Sequence, residues 1–162
     1  MYQIFEVPLE SGLLGIAPMP GRSGLYDQDL ISLFQWSPSI VLSMTTALEM
    51  EHGGADALGS DLTNAGIHWV NLPVPDFGAP PEETVALWEV ASAKAHRVLI
   101  SKGRVLAHCY GGCGRSGMAV LRLMAEAGVD PDVALERLRQ SRPCAVETDA
   151  QFRWAAEGYA NG

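Results

Sequence analysis

The chain has 162 residues, 48% of them hydrophobic, and a formal net charge of −8. This size and composition predict one domain, residues 1–162, with a sizeable core. The acidic balance argues against nucleic acid as a general partner, because binding a phosphate backbone requires clustered lysine and arginine. There is no apolar run of roughly 18 residues. The first residues also lack a basic start before a hydrophobic stretch, so we expect neither a membrane span nor a signal peptide.

Strand-like and helical segments alternate along the chain. Short apolar runs predict strands at Ile4–Val7, Leu13–Ala17, Ser39–Met44, Ile67–Leu72 and Arg104–Ala107. Helical spacing and capping residues predict helices at Asp27–Trp36, Ala55–Ala65, Pro81–Ser101, Arg115–Ala127, Pro131–Ser141 and Asp149–Tyr159. This order is typical of an α/β fold with a mostly parallel central sheet of about five strands flanked by helices. Such sheets bind ligands at the carboxyl ends of their strands.

The segment HCYGGCGRSGM, residues 108–118, follows the last predicted strand and opens a predicted buried helix. Its glycines permit backbone conformations in which successive N–H groups turn towards one point. The helix beginning near Arg115 would direct its unpaired N–H groups at the same point. We therefore expect a phosphate site. Its residues would be Tyr110, Gly111, Gly112, Cys113, Gly114 and Arg115.

Cys109 is the candidate nucleophile of this loop. It lies at the end of the strand, and five residues separate it from Arg115. The chain can therefore fold back and place the sulfur beneath the anion while the guanidinium binds two anion oxygens. The same field favours the thiolate over the thiol. We expect Ser116 to hydrogen-bond the sulfur, and His108 to fix the loop by bonding its backbone.

The pattern His-Cys-x5-Arg-Ser, residues 108–116, resembles the signature of cysteine-dependent protein tyrosine and dual-specificity phosphatases. Further segments resemble the kinase-associated (cyclin-dependent kinase inhibitor 3-like) phosphatases in order and spacing: GLLGIAPMPGR, SIVLSMTTALEM, IHWVNLPVPDFGAP and SRPCAVET. The resemblance runs from about Gly12 to Gln151. It implies hydrolysis of phosphate monoesters in a phosphorylated protein, through a cysteinyl-phosphate and without cofactor or metal. Phosphotyrosine is the first candidate, phosphoserine and phosphothreonine are alternatives, and a kinase partner follows from the resemblance only.

The resemblance also implies an acid that protonates the leaving oxygen, and Asp76 in PVPDFGAP is the candidate. Taken alone, Pro-Asp-x-Gly is a turn in which the aspartate bonds its own backbone. Gln151 has two interpretations as well. The resemblance places it near a glutamine that positions the hydrolytic water, whereas Thr148 with Gln151 three residues later is a capping box.

The remaining candidates keep alternatives open. Cys113 and Cys144 each form a reversible disulfide with an oxidised Cys109, or serve as small hydrophobes. Arg22, in a turn, is expected to border the substrate entrance. A reactive thiol at Cys109 predicts a cytoplasmic location, because that compartment is reducing. Two other function classes stay open, a phosphate-binding module without turnover and a thiol redox enzyme such as an arsenate reductase.

Overall fold

A computed structural model of the chain describes residues 1–160. The strands in this part are β1 (Phe5–Leu9), β2 (Gly12–Ala17), β3 (Ile40–Ser43), β4 (His68–Asn71) and β5 (Arg104–His108). The helices are α1 (Tyr26–Trp36), α2 (Ala47–His52), α3 (Leu58–Asn64), α4 (Glu82–Ile100), α5 (Gly114–Glu126), α6 (Pro131–Ser141) and α7 (Asp149–Ala156). Among residues 1–160, no helix combines the length and the apolarity needed to cross a membrane.

The strands form one sheet in the order β1-β2-β5-β3-β4. Only β1 and β2 pair antiparallel, and the other neighbours are parallel. In the register, His108 at the end of β5 lies between Ala17 of β2 and Ser43 of β3. The segments that follow these three strands therefore leave the sheet at one edge. The mostly parallel sheet of five strands that the sequence predicts is confirmed.

Helices cover both faces of the sheet. Val105 and Ala107 of β5 contact the core beneath α4, α5, α6 and α7. Leu106 points to the opposite face and packs with α1, α2 and α3, as the period-2 alternation of a strand requires. Because both faces are covered, β5 is buried from Val105 to His108, which explains its continuous apolar run.

The differences from the predicted elements have local causes. The first strand continues past Val7 to Leu9, because Pro8 is tolerated in β1, an edge strand of the sheet. Helix α2 was not expected, since a helix of six residues is too short to show a clear period. The helix predicted at Ala55–Ala65 is shorter and is α3. The last helix ends before the predicted limit at Tyr159.

Candidate active site

The loop between β5 and α5, residues 109–113, turns its backbone N–H groups inward. The carbonyl oxygens of residues 110–113 all accept hydrogen bonds from donors outside the loop. The donors are Met19 N for Tyr110 (3.1 Å), Arg142 Nη2 for Gly111 (3.1 Å), Arg142 Nε for Gly112 (2.9 Å) and Val146 N for Cys113 (3.3 Å). In a planar trans peptide the following N–H points opposite to the carbonyl. The N–H groups of residues 111–114 therefore face the interior of the β5–α5 loop.

One glycine is required for this loop conformation. Gly112 has φ +72°, and a Cβ there would lie 2.7 Å from backbone atoms of Ala17 and Pro18. A Cβ on Gly114 would meet the carboxylate of Glu147, the end of an exposed side chain that can move away. Helix α5 begins at Gly114, and the side chain of its N-cap residue makes no capping hydrogen bond. Its first N–H groups are therefore directed towards the loop, where an anion can accept their hydrogen bonds.

Cys109 and Ser116 lie together at the bottom of this loop. The Cys109 side chain is buried, and its Sγ is 3.2 Å from Ser116 Oγ. Ser116 is fully buried in the first turn of α5. The structure thus brings together the sulfur and the hydroxyl that the sequence paired. A hydroxyl at this distance can donate to a thiolate.

Arg115 is buried, with 1% of its surface exposed. Its guanidinium forms a bidentate ion pair with Glu49 of α2, with Nη1–Oε1 at 2.6 Å and Nη2–Oε2 at 2.8 Å. Nη1 also donates to the Val74 carbonyl at 3.0 Å. Within residues 1–160, Arg115 Nε has no hydrogen-bond partner. The guanidinium is therefore held through Nη1 and Nη2, and its Nε–H can donate to an anion.

Glu49 is a site residue that the sequence analysis missed. Burial raises its pKa, but hydrogen bonds from Arg115 and Thr46 outweigh that effect, and the pKa lies below its usual value. Burial lowers the pKa of Arg115, but the hydrogen bonds to Glu49 outweigh it, and the pKa is raised. Both groups are therefore charged at neutral pH. The signal in the sequence that could have drawn attention to Glu49 is its capping box with Thr46, which starts α2.

His108 fixes the loop from behind, as the sequence predicts. Trp69 Nε1 donates to Ser43 Oγ at 2.8 Å, so the Ser43 hydroxyl proton is available for His108 Nε2. The other ring nitrogen, Nδ1, then carries the proton and donates to the Cys109 carbonyl at 3.3 Å. Burial lowers the pKa of His108 to about 4. The ring is therefore neutral at physiological pH.

Asp76 lies in the β4–α4 loop, residues 72–81. The predicted turn is present, and the role of Asp76 as an acid stays a prediction. Gly78 N donates to the Pro75 carbonyl at 2.9 Å, which closes a turn, and Phe77 N donates to Asp76 Oδ1 at 3.0 Å. The same Oδ1 is 3.4 Å from Arg115 Nη2, and 55% of the Asp76 side chain is exposed. The carboxylate thus belongs to a turn and also lines the cleft above the β5–α5 loop.

Helix α7 holds the β4–α4 loop in this position. Thr148 Oγ1 donates to the Phe77 carbonyl at 3.2 Å, and Gln151 Nε2 donates to the Gly78 carbonyl at 3.2 Å. Gln151 Oε1 accepts from the backbone N–H groups of Glu147 (2.8 Å) and Thr148 (3.3 Å). The predicted capping box is therefore present. In this conformation the buried amide of Gln151 is bonded to backbone, and its role towards water stays a prediction.

Neither of the two interpretations of Cys113 and Cys144 describes this structure, because these cysteines do not pair with Cys109 and are not lone small hydrophobes. Cys113 and Cys144 form a disulfide with each other, whereas Cys109 is free and buried. The reason is geometric. Cys144 belongs to the connection between α6 and α7, residues 142–148, and this connection passes beside Cys113 of the β5–α5 loop. Cys144 is exposed and Cys113 is half-buried.

A cleft of about 320 Å³ opens above Cys109. Asp76 and Arg115 line it, and its rim contains Arg22, Phe77, Tyr110, Arg142 and Glu147. The Arg22 guanidinium lies 5.3 Å from the centre of the Tyr110 ring. The structure therefore places Arg22 at the entrance, as the sequence predicts. The cleft can accept a phosphate between a sulfur, a guanidinium and a ring of amides, with a carboxyl group at its edge.

Comparison with known proteins gives relatives that match about half of this chain. Cyclin-dependent kinase inhibitor 3 from Mus musculus is 34% identical over 94 residues, which are 57% of this chain and 43% of that protein. Tyrosine-protein phosphatase non-receptor type 18 from Mus musculus is 32% identical over 89 residues, which are 49% of this chain and 19% of that protein. The chain thus spans less than half the length of these curated relatives. The resemblance to kinase-associated phosphatases is confirmed.

The fold is shared with a solved structure of a kinase associated phosphatase whose catalytic-site cysteine is replaced by serine. The TM-score is 0.84 at 21% identity, and the match covers 96% of this chain and 93% of that chain. Tk-PTP in its active form gives a TM-score of 0.71 at 26% identity, covering 89% of this chain and 91% of that chain. The family model described as "Polymorphic toxin system, DSP-PTPase phosphatase" matches residues 19–149, which are most of the chain. This protein therefore belongs to that family of dual-specificity and protein tyrosine phosphatase-like domains.

Proposed function

We propose that the chain is one phosphatase domain that hydrolyses phosphotyrosine in a protein substrate through a cysteinyl-phosphate intermediate. The observation that carries this proposal is the convergence at one cleft of Cys109, the inward-facing amides of residues 111–114, Arg115 and Asp76. These groups come from two separate loops, yet together they supply a nucleophile, an anion site and a proton donor. A module that only bound phosphate would have no use for the carboxyl group.

In the first half-reaction, Cys109 Sγ attacks phosphorus while the amides and Arg115 Nε stabilise the charge on the phosphoryl oxygens. The S–P bond forms as the P–O bond to the leaving group breaks. Asp76, protonated, transfers its proton to the leaving oxygen. The ion pair with Glu49 supports this step, because it fixes the buried guanidinium before substrate arrives.

In the second half-reaction, water attacks phosphorus and Asp76, now a carboxylate, accepts a proton from it. The S–P bond breaks and phosphate leaves. Ser116 Oγ, 3.2 Å from Cys109 Sγ, donates a hydrogen bond to the departing thiolate. Gln151 contributes by holding the β4–α4 loop near the cleft through Gly78.

The rim supports an aromatic phosphoester as the preferred substrate. Phe77 is 59% exposed and Tyr110 is 38% exposed, and both line the cleft. Aromatic rings at this position can pack against the ring of a phosphotyrosine. Phosphoserine and phosphothreonine remain alternative substrates, and a kinase partner rests on the names of the relatives alone.

The location expected from the reactive thiol is cytoplasmic, and it stays a prediction. Structural disulfides persist mainly in oxidising environments, so the Cys113–Cys144 disulfide and the reactive thiol support different compartments. The family description names polymorphic toxin systems, so we propose that the phosphoprotein substrate can belong to a cell other than the producer.

The test is hydrolysis of p-nitrophenyl phosphate and of phosphotyrosine, phosphothreonine and phosphoserine peptides by the purified chain. We expect vanadate-sensitive turnover, highest on phosphotyrosine, that is lost in Cys109→Ser. The matched control is Ser60→Ala, which makes a change of similar size at an exposed residue of α3 that does not line the cleft. Phosphate binding by the wild-type chain without turnover would instead establish a non-catalytic module and refute the proposal.

A further inference from the structure

The Cys113–Cys144 disulfide joins two segments 31 residues apart in the sequence. One is the β5–α5 loop, and the other is the α6–α7 connection, residues 142–148. Nothing in the proposed reaction uses these two sulfurs. The disulfide nevertheless lies next to the phosphate site, because Cys113 belongs to the β5–α5 loop and lines the cleft.

Hydrogen bonds on both sides of Cys144 join the same two segments. Arg142 donates to the carbonyls of Gly111 and Gly112, and Val146 N donates to the carbonyl of Cys113. These bonds direct three loop carbonyls outward, and the following N–H groups therefore point inward. The disulfide lies between these contacts in the chain and holds the two segments in register.

We propose that Cys113 and Cys144 are positioning residues whose disulfide holds the β5–α5 loop in its phosphate-binding conformation, so that reduction weakens phosphate binding. The inference rests on the proposed function. Without the disulfide, hydrogen bonds from Arg142 and Val146 attach the loop to a connection that lacks regular secondary structure. A loop with more accessible conformations loses more entropy when it orders around an anion, which lowers affinity.

The exposure of the sulfurs supports reduction by an external dithiol. Cys144 is exposed and Cys113 is half-buried. A thiolate of the dithiol attacks Cys144 Sγ, the S–S bond breaks, and Cys113 leaves as a thiolate that then takes a proton from water. Arg142 Nη2, 3.6 Å from Cys113 Sγ, stabilises that leaving thiolate. The second thiol of the reagent then displaces Cys144, and the dithiol is oxidised to its cyclic disulfide as the protein gains two electrons.

A thiol count tests the pairing without reference to activity. In protein prepared without reductant and denatured under acid, we expect one reactive thiol per chain, on Cys109. After treatment with dithiothreitol we expect all three cysteines to react. Three reactive thiols in the untreated, air-equilibrated protein would overturn the proposal.

The inhibition constant of inorganic phosphate tests the positioning role. A competitive inhibition constant does not depend on how much enzyme is active, so oxidation of Cys109 in part of the sample does not affect it. We expect dithiothreitol to raise this constant by about 3- to 10-fold in the wild-type chain, with a smaller change in kcat. Equal constants before and after reduction would overturn the proposal.

The variant Cys144→Ser supplies a second measurement. It changes an exposed residue, and circular dichroism checks that it folds. We expect its phosphate inhibition constant to match that of the reduced wild type and to be insensitive to dithiothreitol. A constant equal to that of the oxidised wild type would refute a positioning role. Absence of turnover in both redox states would refute the proposed function instead, and calorimetric titration of Cys109→Ser with phosphate, with and without dithiothreitol, would then decide the present inference.

Discussion

Replacing Glu49 by glutamine separates the orientation of Arg115 from its charge. Glutamine has the same shape and can still serve in the capping box with Thr46, so helix α2 keeps its start. It cannot accept from both Nη1 and Nη2 of Arg115, which now lie 2.6 and 2.8 Å from the two carboxylate oxygens. The variant therefore loses one charge-assisted hydrogen bond to a buried guanidinium.

Two effects oppose each other in this variant. Loss of the ionic partner of a buried guanidinium costs about 3 kcal/mol, and we expect most of it to appear as lost orientation of Arg115 Nε. Removal of a negative charge favours the phosphate dianion by about 2 kcal/mol, taking two unit charges on the phosphate, a separation of roughly 8 Å and an effective dielectric constant near 40. The difference is about 1 kcal/mol against the variant. This corresponds to a loss of about 5-fold in kcat/KM.

The assay is the steady-state hydrolysis of a phosphotyrosine peptide, with circular dichroism to show that the variant is folded. Glu51→Gln is the matched control, because it removes the same charge from an exposed residue of the same helix. We expect the control to keep wild-type kcat/KM. A folded Glu49→Gln variant with unchanged or increased kcat/KM would show that Glu49 only lowers the net charge of the site.

Three further predictions concern other residues. Asp76→Asn should lower kcat by about 10²- to 10⁴-fold. The loss should be smaller for aryl phosphates whose leaving groups are more acidic, because these need less protonation. An equal loss for all aryl phosphates would contradict proton donation by Asp76. Gln151→Ala should lower the free energy of unfolding by about 1 kcal/mol in urea titrations, and should also lower kcat because it releases Gly78; wild-type kcat would leave Gln151 as a cap only. His96→Gln should lower Tm relative to the wild type at acidic pH, and this difference should shrink at alkaline pH. A Tm difference that does not depend on pH would contradict the prediction.

The sign of the His96 effect follows from its contacts. The hydrogen bond with Glu126 raises the pKa of His96, burial lowers it, and the bond with Glu10 raises it, for a net increase. A group whose pKa is higher in the folded chain adds stability that is complete below its ordinary pKa of about 6.5. That contribution disappears as pH rises through the pKa of the folded state. The Tm difference should therefore be present at about pH 6 and shrink towards about pH 9.

The sequence could predict the centre of the site because its parts are close together in the chain. A buried strand that leads into Cys109, glycines that permit the turn, and a helix beginning at Arg115 lie within one short strand-loop-helix unit. Local geometry alone brings the sulfur, the amides and the start of the helix to one point. The alternation of strands and helices likewise predicted the parallel sheet that supports this unit.

Only the tertiary structure decided which distant groups meet there. Glu49 reaches Arg115 because α2 follows β3, the strand beside β5. Arg142 and Cys144 meet the β5–α5 loop because the connection after α6 runs past it, and the pairing of Cys113 with Cys144 follows from that path. Such contacts depend on the order of strands and the packing of helices, which residue spacing along the chain does not encode. The sequence by itself thus determined the candidate nucleophile and the candidate anion site, whereas the packing of remote segments decided what orients them.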